Sequence, residues 1–157
     1  MADYAPAVQE PEARFGALAA DARALALAAA GQLGAAKAIL DGAPRLRPDF
    51  YFSIFATLRA MAVVAVGRRE PAEELYAALL PVRGQLAGAA STSLAMRPVA
   101  HTLAELARLL GRPAAVAEHL AEAVAVARAW QAPRWEAEAR AAMGRVTPGG
   151  GRDPGPA

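Results

Sequence analysis

Hydrophobic and polar positions follow the helical period along almost the whole chain. Alanine and leucine dominate, and both are strong helix formers. No stretch keeps the alternation of β-branched residues that marks a half-buried strand. Breakers divide the pattern into helices at about 12–30, 34–41, 49–66, 71–86, 93–110, 113–131 and 134–144. Pro71 and Pro113 stand in first turns, where a missing N–H had no helical partner anyway. Gly31, Gly67 and Gly111 stand where the preceding helix must stop, and glycine takes the left-handed turn at little cost. Pro98 either starts the fifth helix late or kinks it.

The same turn is written three times: AGQLGAAKAIL (Ala30 to Leu40), VGRREPAEELY (Val66 to Tyr76) and LGRPAAVAEHL (Leu110 to Leu120). Five residues after each glycine stands a small or apolar residue, Ala36, Ala72 or Val116. Eight and nine residues after it come Ile39–Leu40, Leu75–Tyr76 and His119–Leu120. In a helical hairpin the small residue lets two helices approach, and the larger pair fills the groove against the next hairpin. Gly31, Gly67 and Gly111 lie 36 and then 44 residues apart, which brackets the period of roughly 34 to 47 residues seen in helix-pair solenoids. The pattern predicts an all-α domain over 12–144, about three hairpins closed by a last helix at 134–144. Residues 1–11 are expected to be a flexible N-terminus. The tail 145–157, ending TPGGGRDPGPA, is expected to be disordered because it cannot build a core.

Two longer runs carry a resemblance. PAEELYAALLPVRGQLAG (Pro71 to Gly88) and AELARLLGRPAAVAEHLAEAVAVARAWQAPRWEAEARAAM (Ala104 to Met143) resemble the tetratricopeptide-like region at the C-terminal end of large actinobacterial transcriptional activators. The resemblance spans about residues 35 to 143. It implies a tetratricopeptide-like stack and a protein-binding or regulatory role. No ATPase motif and no helix-turn-helix accompanies it here, and MRPVAHT (Met96 to Thr102) stands where the family usually has a small-residue stretch containing Arg–Tyr.

Composition narrows the classes. A chain of 157 residues suits one domain, and its formal charge of +2 offers no broad attraction for nucleic acid. Basic and aromatic residues are not interleaved as single-strand binding requires. Lys37 is the only lysine, and the weight of Ala, Arg, Gly and Pro suggests a GC-rich, actinobacterial genome. With no cysteine there is no disulfide, thiolate metal site or Cys nucleophile. The opening MADYAPAVQEPEA lacks the basic and apolar regions of a signal peptide, so a cytoplasmic location is expected. Phe50 to Val66 is apolar nearly all round, but it is shorter than the roughly 20 residues a membrane span needs and holds Arg59 near its middle. It reads as a buried helix.

Candidate chemistry gathers on the fifth helix. His101 and Glu105 are four apart and share a face, which Arg108 and Arg97 extend. These four would line a concave groove, with Arg97 holding a carboxylate, or would form a solvated face of ordinary ion pairs; the second reading is favoured. His101, Glu105 and His119 give a weak metal alternative. Ile39 and Leu75 fill the His119 position in the other copies, which favours packing. Arg59, the lone charge of its helix, either reaches solvent along its stem or anchors an anion, and the first is favoured. Trp130 and Trp135 are expected to pack the last hairpin. Ser91, Thr92 and Ser93 read as helix caps. No cofactor is called for, since no glycine-rich phosphate loop is present.

Two functions follow from different classes. The favoured one is a non-enzymatic interaction or regulatory module that binds a peptide or protein helix. Its Arg59, Arg97, His101, Glu105 and Arg108 would touch the partner, and Gly31, Gly67, Gly111, Ala36, Ala72 and Tyr76 would build the turns. The alternative is a small-molecule-binding protein, or a small helical enzyme, with an apolar cavity beside Phe50–Val66. The first hairpin, ALAADARALALAAAG (Ala17 to Gly31), carries only Asp21 and Arg23 as charges. So apolar a surface predicts a homodimer or docking onto another protein.

Overall fold

The structure is a computed structural model and describes residue 16, residues 19–88 and residues 95–145. The described chain is predominantly helical. Helix α1 covers residues 19–29, followed by α2 (Leu33–Asp41), α3 (Phe52–Val66), α4 (Arg69–Leu79), α5 (Val99–Leu110), α6 (Pro113–Ala129) and α7 (Pro133–Gly144). The three glycine turns are left-handed, with φ of 78° at Gly31, 73° at Gly67 and 77° at Gly111. At Gly67 and Gly111 the N–H closes the helix by bonding back to the carbonyls of Val63 and Val64, and of Ala107 and Arg108. A Cβ at these glycines would meet nothing within 4 Å. Glycine is therefore required there by backbone conformation and not by crowding. The turn between α6 and α7 reaches the same region without glycine, at Gln131 with φ 51°.

The small position five residues past each glycine is buried in every copy: Ala36 and Ala72 are fully buried and Val116 nearly so. Leu75, Leu120 and His119 are buried behind them. The main core joins Val63 of α3, Leu75 and Leu79 of α4, and Val99, Leu103, Leu106 and Leu110 of α5. α5 is buried on most of its surface because α3, α4 and α6 all pack on it. α7 packs on α6, and α2 packs on α3. No helix of the described residues is long and apolar enough to cross a membrane.

Two expected helices are cut short. The fourth ends at Leu79 and passes through a 3-10 turn, Leu80–Val82, into strand β1 (Leu86–Gly88). Strand β2 (Ala95–Pro98) pairs with it antiparallel, Leu86 opposite Pro98 and Gly88 opposite Ala95, with an irregularity between. Pro98 then caps α5 with φ −52° and ψ 136°, so it starts the helix late and does not kink it. Pro81, Gly84 and Gly88 together weaken any helix through this stretch. Strands of three and four residues are too short to show an alternating pattern. The expected flexible N-terminus, nearly all of the disordered tail, and Ser91, Thr92 and Ser93 lie outside the described residues.

Candidate functional site

Helix α3 is apolar on nearly all sides, and Ile54, Ala56, Ala60, Ala62, Val63 and Val66 are buried together with the polar Thr57. Arg59 projects from this helix toward α1. Its Nε and Nη2 donate to the two carboxylate oxygens of Asp21 at 3.0 and 3.1 Å, and Nη1 donates to the Pro44 carbonyl at 2.6 Å. The Asp21 side chain is fully buried and that of Arg59 is 13% exposed. Burial pushes the Asp21 carboxyl above its usual pKa, and the Arg59 hydrogen bond and charge oppose that shift. Arg59 therefore neither runs out to solvent nor waits for a ligand anion. Its carboxylate is supplied by the chain, and one guanidinium ties α1 and the segment after α2 to α3.

The four-residue strip on α5 divides in two. Arg97 comes from β2, not from an extended helix, and folds back over α5. Its Nε donates to Thr102 Oγ1 at 3.1 Å, and its Nη1 and Nη2 grip both oxygens of Glu105, the first at 2.8 Å. Arg97 does hold a carboxylate, and Glu105 is the one it holds. His101 lies beside this pair, buried, with Nε2 at 3.9 Å from Glu105 Oε1. Burial and the Arg97 charge lower its pKa, while Glu105 and Glu138 work against them. The imidazole is neutral at pH 7. Arg108 points elsewhere and lines a separate cavity at the turn into α6.

His119 packs between α6 and α4, as its position in the repeat suggested. It shares a 2.8 Å hydrogen bond with the Tyr76 hydroxyl through Nε2, and its ring meets Tyr76 edge to face at 5.6 Å between centroids. Arg112 covers the Tyr76 ring at 4.9 Å, and also holds Glu73 at 2.7 Å. Burial again lowers the histidine's pKa. His101, Glu105 and His119 are not gathered as ligands: among the described residues no group of three His, Asp or Glu is placed to hold a metal. Trp130, expected in the core of the last hairpin, is 57% exposed at the end of α6, while Trp135 is half-buried with Arg134 stacked at 4.8 Å.

One open groove lies beside Arg59. It holds about 360 Å³ between α2 with its following segment, α3 and α4. Leu40, Leu46, Phe52 and Leu75 supply apolar walls, and Arg45 and Glu74 stand at the edge. Both of these charges are exposed, and neither is in an ion pair among the described residues. Sequence reasoning located the groove only through Arg59. Arg45 and Glu74 carry no signal of their own, being ordinary charges between apolar residues. Asp21 was equally hidden, a single acid in an alanine-rich helix 38 residues before its partner.

Compared with protein-family models, with curated proteins and with solved structures, the chain matches none.

Proposed function

We propose that the chain is a non-enzymatic interaction or regulatory module, a tetratricopeptide-like stack of helical hairpins that binds a peptide or protein helix. Three left-handed glycine turns at corresponding positions, and the packing of α3 on α5, support the stacked-hairpin reading. The groove of about 360 Å³ carries the functional one. Pockets that enclose a drug-sized molecule run from roughly 300 to 1,000 Å³, so this groove takes one or two anchoring side chains of a partner helix. Its walls are leucine and phenylalanine, and the exposed Arg45 and Glu74 offer one positive and one negative contact at the edge. The buried ionisable groups nearest to it, Arg59 and Asp21, are committed to each other. That leaves an apolar surface with charged edges and no reactive pair facing it.

The first hairpin favours association as well. Ala22, Ala26, Ala29 and Leu33 are exposed along α1 and the start of α2. A homodimer through that face is the arrangement we expect, in a cytoplasmic protein of actinobacterial type.

Native mass spectrometry of the protein from its own host, compared with the denatured mass, tests both points. A dimer or a defined protein complex is expected, and Ala78→Glu, which places a charge in the groove at an exposed position, should abolish the complex with the groove's partner while leaving the dimer and the fold intact. A monomer that instead releases a small organic molecule on denaturation would overturn the module in favour of a small-molecule-binding protein.

A further inference from the structure

Helix α1 buries only Asp21 and Ala24 of its residues 19–29. None of these residues enters the apolar layers that join α3 to α7. What fixes α1 specifically is the Asp21 carboxylate, fully buried against the Arg59 guanidinium of α3. Three residues, Ala30, Gly31 and Gln32, lead from α1 into α2. Gly31 turns there at φ 78° with open space around it, and Gln32 gives α2 no side-chain cap. The sequence across this turn, ALALAAAGQLGAAKAIL (Ala24 to Leu40), is otherwise made of strong helix formers. Gly67 and Gly111 are different, because the helices on both sides of each are built into the shared apolar layers.

We infer that the first hairpin opens at Gly31 and that two copies of the chain exchange their α1 helices, the Asp21 carboxylate of one copy meeting the Arg59 guanidinium of the other. This rests on the homodimer reading and names the residue that each copy gives to its partner. Straightening Gly31 fuses α1 and α2 into one helix over 19–41. Asp21, ten residues before the hinge, is then carried about 15 Å beyond it, away from its own Arg59 and toward a second molecule. Exchange is a low-cost route to a dimer, because each contact of α1 is remade with the same residues in the partner. Two gains are added. The first N–H groups of α2, uncapped in the closed hairpin, regain helical carbonyls. Ala22, Ala26, Ala29 and Leu33, all exposed in the closed hairpin, fall on one straight stripe. Their steps of 4, 3 and 4 residues are those of a coiled-coil seam, so the two fused helices can bury that stripe against each other.

The test unfolds and refolds two full-length variants together, Asp21→Arg and an isotope-labelled Arg59→Asp, and follows hydrogen exchange of α1 by mass spectrometry. Alone, each variant sets like charges against each other at the site and should leave the α1 amides unprotected. An exchanged heterodimer instead has one opposite-charge pair at each of its two sites. Refolded together, the variants should therefore give a mixed dimer in which α1 exchanges at least about tenfold more slowly than in either variant alone. A closed hairpin cannot be repaired by a second chain, so a mixture that behaves as the sum of its parts would overturn the exchange. If the unsubstituted chain is then still a dimer, the homodimer stands without exchange; if it is a monomer, both fail. Gly31→Ala gives a second reading, because alanine disfavours the left-handed turn and favours the straight helix. It should tighten dimerisation at least about fivefold, and unchanged or weaker dimerisation would overturn the exchange as well.

Discussion

The first hairpin and the third are built on the same turn and held by different forces. α1 and α2 bury little: Ala24 and Ala36 are the only fully enclosed apolar residues they offer, and Asp21 sits among them as an ion. α5 buries Val99, Leu103, Leu106 and their alanine neighbours completely, with α3, α4 and α5 sharing one apolar layer. A salt bridge fastens one end of the molecule and area fastens the other. Area is additive and insensitive to any one charge. A buried ion pair must beat the desolvation of both partners, and fails as a whole when one is removed. The N-terminal end should therefore come loose as a unit, while α5 loses stability contact by contact.

The largest expected effect comes from the apolar side. Leu103→Ala removes a fully buried side chain from the shared layer and should cost about 3–4 kcal/mol, read as a shift of the whole urea transition with hydrogen exchange accelerating everywhere. Arg59→Met comes next, at about 3 kcal/mol. That is the low end for a broken buried pair, because Asp21 can take up a proton and neutralise itself. Here the contrast should show: amides of α1 and residues 43–48 exchange faster while α5 stays protected. Adding Asp21→Leu should restore most of the loss. If α1 and α5 respond equally to Arg59→Met, the two ends are not held differently after all.

The smallest effect concerns pH. His101 and His119 both have pKa values lowered from 6.5, first of all by burial. The unfolded chain then binds more protons than the folded one just below pH 6.5. Their contribution is complete above that value and is lost as pH falls toward the folded-state pKa. Asp21, whose pKa is raised from 3.8, acts in the opposite sense as pH rises above about that value. Between about pH 5 and 7 the two histidines should win, so the urea midpoint climbs with pH, and His101→Gln with His119→Gln should flatten the climb. A midpoint that falls over this range in the unsubstituted protein would show that the acid in the first hairpin outweighs both imidazoles.

Much of the helical framework was legible before any coordinates. The positions five residues past Gly31, Gly67 and Gly111 were readable because hairpin packing repeats, and all three prove buried. The site was not legible in the same way. Arg59 drew notice as the one charge in an apolar helix, but its partner is in another helix, and nothing periodic links a lone aspartate to it. Arg97 was placed on a helical stripe by spacing, whereas a strand and a proline cap deliver it to Glu105 by another route. The β1–β2 pair is too short to leave an alternating trace.

The three glycine hinges carry a consequence for what each turn asks of its neighbours. Each is set by a backbone angle and touches nothing with its missing side chain. A hinge of this kind makes no demands on its surroundings, so any one of them can replace another. Gln131 breaks that interchangeability, because a side chain held at φ 51° needs local support. The first three turns are therefore fixed by backbone angle alone, while the turn into α7 depends on what surrounds Gln131.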